Sequence, residues 1–279
     1  MKITALWIYP IKGCQGQALE QTDVTTEGFP GDRQFTLVSE GQQVSQKALP
    51  MMKHLSAQWQ SGGLNLSFSG LPSFRFDPSL ETPGQSMQLA GRQVNTWDMG
   101  NEVADWLSQA LSLRLRLVKT QASAPISIPL DYFSRLEDTR QSSFVDVAPL
   151  LVTSEASLAD LNTRLDSPVT MQRFRPNVVI TETEAFFEDS AKHLMVGDLM
   201  LDHVTACERC AVTTFDPDPK TGISGKQKEP LRTLSQYRRR DQGYAGGVMF
   251  GSYYAPHGSG VLRVGDALTL PEPGGLQIR

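Results

Sequence analysis

Cysteine and histidine are scarce in this sequence, and each shortage removes a class of function. The three cysteines, Cys14, Cys207 and Cys210, are odd in number, and two of them share one motif. They do not make a disulfide framework and they suit a reducing compartment, so a cytoplasmic location is expected. The four histidines, His54, His193, His203 and His257, fall at no metal-ligand spacing. No window approaches the roughly 20 apolar residues of a membrane-spanning helix. The apolar start, Ile3 to Ile11, is broken by Pro10 and closed by Lys12, and it lacks the charged opening and small-residue cleavage site of a signal peptide. No membrane partner is therefore expected. Positive charge is not in excess: 26 Lys and Arg against 30 Asp and Glu give a formal net charge of -4. That balance argues against generic nucleic-acid binding. With no Walker sequence, no serine nucleophile elbow and no GxGxxG, phosphate-loop, hydrolase and dinucleotide readings lack support.

What is present suits a globular protein of two ordinary domains or one large one, with 39% hydrophobic and 20% charged residues over 279 positions. The first 90 or so residues read as short strands between turns, at Thr4 to Tyr9, Gln34 to Ser39 and Leu64 to Phe68. From Asn101 the period becomes helical, with Val103, Trp106, Leu107, Ala110 and Leu111 on one face; Leu113 to Val118 then restores strand alternation. The stretch from Thr120 to Gln141, with Pro125 and Pro129, reads as a connection, which sets the domains at residues 1–120 and 121–279. The second part opens with an apolar run and a helix capped by Thr153 or Ser154, carrying Leu158, Leu161 and Leu165 toward the core. Strands follow at Asn177 to Thr181, Leu199 to Ala206 and Val261 to Leu270, two of them beside a Val-Gly-Asp turn. Many short strands with few helices predict a mainly β, α+β fold built on a closed or nearly closed barrel.

The most informative stretch is Cys207-Glu208-Arg209-Cys210, followed by Ala211 to Phe215 and the turn residues Asp216-Pro217-Asp218-Pro219-Lys220-Thr221-Gly222. A soft thiolate ligand beside a guanidinium fits a metal-bearing cofactor with an anionic tail. Half a zinc site would need two further ligands, and only Cys14 and the scattered histidines are on offer. A redox dithiol sits at a helix N-terminus, but the β-branched run ending in Asp-Pro predicts that no helix opens here. Either cysteine could also be a small buried hydrophobe.

The flanks of this motif resemble the signature of MOSC proteins, and within them the amidoxime-reducing group and its bacterial relatives that reduce N-hydroxylated bases. Further matches are Tyr9-Pro10-Ile11-Lys12-Gly13, Gly31-Asp32-Arg33, Thr153 to Asn162, Arg173-Phe174-Arg175-Pro176-Asn177 and Phe250-Gly251-Ser252-Tyr253, over nearly the whole chain. The resemblance implies a MOSC-type β-barrel packed against a β-rich N-terminal domain, and a molybdenum cofactor (molybdopterin). It implies that Cys210 supplies the thiolate on molybdenum and that Cys207 does not; the spacing alone leaves both open. Lys12, Arg33, Arg175 and Arg209 match cofactor-holding positions for an anionic end. Tyr253 matches a cofactor-contacting tyrosine, although a tyrosine there also suits a core. Gly13 stands where many members have Ser, so only its backbone N–H is left to reach a phosphate oxygen. Asp146 lies in a loose match, Asn177 either orients the cofactor or ends a strand, and Asp216 either relays protons or caps a turn.

The activity implied is two-electron removal of oxygen from a small N-oxygenated substrate. Some bacterial relatives carry a ferredoxin-like domain with four cysteines, and this sequence has none after Cys210. The expected electron donor is therefore a separate flavodoxin, ferredoxin or cytochrome. The run Arg238-Arg239-Arg240, with Lys226, Lys228 and Arg232 nearby, is either a solvated loop or a docking face for such a carrier. The alternative to an enzyme is a non-catalytic carrier of cofactor or sulfur.

Overall fold

The structure, a computed structural model, describes residues 1–271 apart from 62, 80–81, 90–91, 122–123, 126–140, 143, 146, 182–183, 219, 221–227 and 241–246. It is mainly β, with three helices: α1 (Asn101–Leu111), α2 (Glu155–Asn162) and α3 (Leu231–Tyr237). Apolar residues collect into two main cores, one for each half of the fold.

The larger sheet runs, edge to edge, His193–Val196, Leu199–Glu208, Met249–His257, Leu150–Ser154, Val178–Thr181, Lys2–Ile8 and Gln17–Leu19. The pairing of Leu150–Ser154 with Val178–Thr181 is parallel, and α2 lies between them in the chain, as a parallel crossover requires. Ser154 caps α2, its hydroxyl accepting from Ser157 N at 3.0 Å. The sheet closes through residues 265–269. Ile3 N donates to Asp266 O at 2.9 Å and Leu268 N to Met1 O at 3.0 Å, while Met195 and Thr269 exchange bonds of 2.9 and 3.0 Å. Ile3, Leu6, Val152, Val178, Ile180, Leu194, Leu201 and Tyr254 fill the interior.

The other half pairs a five-stranded sheet, ordered Gln42–Gln43, Phe35–Ser39, Arg116–Thr120, Thr96–Asp98 and Thr82–Pro83, with a three-stranded one, Ser56–Gln60, Gly63–Ser67 and Phe74–Phe76. Helix α1 buries Val103, Leu107, Ala110 and Leu111 against them, on the face that the sequence period marks. Trp106 is only partly buried, its indole N–H donating to Pro72 O at 2.9 Å.

Two expectations shift in the structure. The strand read from Leu113 begins at Arg116, because Ser112 ends α1 with a left-handed backbone (φ 52°) and the chain needs a few residues to re-extend. The strand read as Val261 to Leu270 is cut after Arg263, where Asp266 accepts from Arg263 N at 2.8 Å and makes the Val-Gly-Asp segment a real turn. Lys2–Ile8 and Gln21–Val24 pair with Val178–Thr181 and Gly260–Arg263, so the N-terminus belongs to the barrel and the chain then leaves it to build the other half. No helix among the described residues is long and apolar enough to cross a membrane.

One buried acid gives the barrel a pH signature. Glu188, fully buried, accepts from Ser157 Oγ at 2.8 and 3.0 Å, and Tyr254 OH donates to its carbonyl at 2.8 Å. Burial outweighs the bonds from Ser157 and Ser154 and pushes its carboxyl above the ordinary value of 4.5. The folded protein thus keeps this proton to higher pH than the unfolded chain. The stability it contributes is full below 4.5 and is lost as pH rises through the raised folded value. Glu188→Gln removes that titration, so the decline of unfolding free energy as pH rises above 4.5, measured in urea, becomes shallower than in the parent.

Candidate functional site

A cavity of about 390 Å³ lies where the two halves meet, and it gathers Lys12, Gly13, Arg33, Arg175, Asn177, Arg209, Cys210 and Tyr253. These residues come from opposite ends of the sequence. Their convergence follows from the chain leaving the barrel after Val24 and returning to it for the second half.

Lys12 and Gly13 follow a parallel bridge between Ile11 and Phe35, with Lys12 N donating to Phe35 O at 2.8 Å and Lys12 Nζ to Phe144 O at 2.9 Å. Gly13 has φ +84°, and a Cβ there would stand 2.8 Å from Met52 Cε. This left-handed backbone favours glycine over a residue with a hydroxyl side chain.

Arg33 and Arg175 both hold a left-handed backbone, φ 47° and 54°. For residues other than glycine this is a strained state that the surroundings must enforce. Arg33 N donates to Tyr9 O at 2.8 Å and Arg175 N to Gln172 O at 3.1 Å. The side chains lock the pair together: Arg33 Nη2 donates to Arg175 O at 3.0 Å, Arg33 pairs with Asp32, and Arg175 Nη1 donates to Cys14 O at 2.6 Å. Both guanidinium carbons stand over the Tyr9 ring, at 4.6 and 4.1 Å. Burial raises the Tyr9 hydroxyl to about 12 and draws Arg175 down to about 10. Arg175 remains a cation at neutral pH.

Asn177 sits at the centre of this arrangement. Its amide oxygen accepts from Leu151 N and Arg33 Nη1, both at 3.1 Å, and its amide nitrogen donates to Trp7 O at 3.1 Å and Asp32 Oδ2 at 3.0 Å. These four bonds occupy both lone pairs of the amide oxygen and both N–H groups, so the side chain ties the wall together.

The two cysteines part at the end of the strand Leu199–Glu208. A register shift between Ala206 and Glu208 turns Cys207 into the interior, while Cys210 is exposed. Arg209 Nη1 donates to Cys207 Sγ at 2.8 Å and Nη2 to Phe174 O, and Nε is buried with no hydrogen-bond partner among the described residues. Contrary to the reading that no helix opens at the motif, Ala211–Thr214 forms one 3₁₀ turn starting from Cys210. The Thr213 and Thr214 hydroxyls bond back to Cys210 O and Ala211 O at 3.0 and 2.7 Å, which lets threonines close a turn that they would disfavour in a longer helix. Tyr253, half-buried in the strand Met249–His257, faces the cavity opposite Leu151 and Thr205.

Asp216 does not line the cavity. It accepts from Arg173 Nη2 at 3.2 Å and from Asp218 N at 3.0 Å, and its carbonyl accepts from Lys53 Nζ at 2.8 Å, so it fixes the turn. Asp146 and Lys226 lie outside the described residues. The basic run is tied into the fold: Arg238 pairs with Asp189 and stacks 3.9 Å from the Phe186 ring centre, Arg239 Nε donates to Ser235 O at 3.1 Å, and Arg240 Nη1 to Thr205 Oγ1 at 3.2 Å. Sequence reasoning missed the wall contributed by residues 43–47, together with Glu208 and Val212. Residues 43–47 carry no motif; only the fold brings them here.

Among the described residues no group of three or more His, Cys, Asp or Glu side chains is placed to hold a metal ion. A metal at Cys210 would take its other ligands from a cofactor. The unpaired donor on Arg209 and the cations deeper in the wall suit an anionic group of that kind.

The sequence matches two families, the MOSC N-terminal beta barrel domain over residues 1–114 and the MOSC domain over residues 139–269. It is 33% identical over 276 residues to mitochondrial amidoxime reducing component 2 of Bos taurus, covering 95% of this chain and 81% of the relative. Mitochondrial amidoxime-reducing component 1 is 35% identical in Mus musculus and 32% in Homo sapiens, each covering 96% of this chain and 82% of the relative.

Replacing Asn177 by Ala strands several buried groups at once, so a loss of at least about 2 kcal/mol is expected, well above the effect of an ordinary cavity-wall change. Urea unfolding of cofactor-free protein measures it without a contribution from bound ligand. A loss near zero would show that Asn177 serves the ligand rather than the wall.

Proposed function

As this chain belongs to the amidoxime-reducing-component family of MOSC-domain proteins, we propose that it reduces N-hydroxylated bases, amidoximes or N-oxides with a molybdenum cofactor. The observation that carries the reading is the depth of the two cysteines: one exposed thiol, Cys210, at a cavity whose inner wall is cationic, and its neighbour Cys207 buried against Arg209. A molybdenum cofactor, when bound, supplies the two-electron chemistry that removes oxygen from nitrogen.

The residues would divide the work by position. Cys210 would hold the metal as thiolate. Lys12, Arg33, Arg175 and Arg209 would hold the anionic part of the cofactor, with Asn177 and Asp32 fixing the guanidinium of Arg33 in place. The Gly13 N–H, beside Lys12 on a backbone that admits close approach, would add a donor. Tyr253 and Val212 would form the face toward substrate. For an amidoxime the balance is R–C(NH₂)=NOH + 2 e⁻ + 2 H⁺ → R–C(NH₂)=NH + H₂O. The electrons would come from a separate carrier protein.

Cys210→Ser is expected to lose bound molybdenum together with reduction of a simple amidoxime by an artificial electron donor, and Cys207→Ser to keep most of its metal. Molybdenum per protein in the two variants measures this. Equal loss in both would point to a shared dithiol or zinc role. Full molybdenum in the parent with no turnover of any N-hydroxylated compound would instead make the protein a carrier.

A further inference from the structure

Among the described residues that line the cavity, Glu208 is the one acid, beside Lys12, Arg33, Lys47, Arg175 and Arg209. It ends the strand Leu199–Glu208, where the register shift that buries Cys207 turns the next side chain outward. Gly247 leaves space for it: a Cβ there would stand 2.8 Å from Glu208 Cδ. Among the described residues its carboxylate has no hydrogen bond or ion pair, although several cations line the same cavity. Four of those cations are turned elsewhere. Lys12 faces Phe144 O, Arg33 faces Asp32 and Arg175 O, Arg175 faces Cys14 O, and Arg209 faces Phe174 O.

We propose that Glu208 is a specificity residue that selects positively charged N-hydroxylated substrates, an N-hydroxyguanidinium or a protonated amidoxime, over neutral N-oxygenated compounds. The proposal rests on the reductase reading above. An anionic cofactor would neutralise the inner cations and leave Glu208 as the carboxylate among the described residues on the exposed side, which it shares with Cys210 and Lys47. A carboxylate presents two oxygens side by side, and an amidinium or guanidinium presents two N–H donors at matching separation, so the pair forms two parallel bonds. A neutral N-oxide offers no such fork.

The test compares an N-hydroxyguanidine with a neutral aromatic N-oxide, both reduced through the same uncharged dye by molybdenum-loaded protein. In Glu208→Gln, of nearly the same shape, the ratio of kcat/KM for the cation over that for the neutral compound is expected to fall about tenfold, equivalent to about 1.4 kcal/mol, with the change in the KM of the cation. Glu208→Asp retains part of the preference and Glu208→Lys inverts it. The parent's preference weakens as salt rises. An unchanged ratio in Glu208→Gln overturns the proposal, and so does an equal fall of kcat on both substrates, which would assign Glu208 to proton transfer. If the loaded parent reduces neither compound, the reductase reading itself fails and the proposal falls with it.

Discussion

The buried contact of Asn177 with Asp32, Arg33, Trp7 and Leu151 is the constraint on which the rest of the structure depends. It joins the strand that opens the chain, the turn through which the chain re-enters the N-terminal half, and the two parallel strands of the barrel. Asp32, buried as well, accepts from Tyr9 N at 2.7 Å in addition to its bonds with Arg33 and Asn177. A buried carboxylate needs this degree of pairing to remain charged without a large penalty. Breaking one member exposes the others, so the network acts as a unit and fixes how the cavity's two walls face each other.

That rigidity explains how several cations coexist on one wall. Guanidiniums brought together repel, and burial already draws Arg175 down to about 10. Two features offset the cost: the Tyr9 ring beneath both Arg33 and Arg175, and the carbonyl oxygens that receive their N–H groups. The left-handed backbones at Arg33 and Arg175 belong to the same arrangement, because they aim the two side chains at a shared ring. The wall is thus organised before any ligand arrives. An anion meeting it would not have to order the side chains that bind it.

Local patterns in the sequence carried the elements well. The period of Val103, Leu107 and Leu111 and the cap at Ser154 mark α1 and α2 where they stand, and a β-branched run marks Val178–Thr181, but Met249–His257, with no β-branched residue, gives no such signal. Pairing was less legible, because nothing in Ile3 to Ile8 says that its partners lie some 175 residues on, at Val178–Thr181. The cavity shows the same division. Residues set in motifs, Lys12, Arg33, Arg175, Arg209, Cys210 and Tyr253, were readable through their resemblance to a family. Residues 43–47 are there because of tertiary placement, and Glu208, although inside the cysteine motif, gained no role until the register at the strand end showed where it points. Asp216 went the other way: its position after the cysteine loop suggested chemistry, but the bonds to Arg173 and Asp218 give it a turn to hold.

The spacing of the two cysteines gains its meaning from how the strand ends. In an uninterrupted strand, residues three apart point to opposite faces, since side chains alternate. Here the bulge at Cys207 bends the chain just as pairing stops, and Arg209 N still reaches Val248 O at 2.8 Å before the 3₁₀ turn begins. Cys207 is left in the interior as an acceptor for Arg209, and Cys210 emerges at the start of the turn. Two thiols that the sequence treats alike therefore occupy different depths and have different neighbours. A redox dithiol needs both sulfurs reachable, and a zinc half-site needs both aimed at one point. Here one thiol lies inside, bonded by a guanidinium, and the other is exposed at the start of the turn.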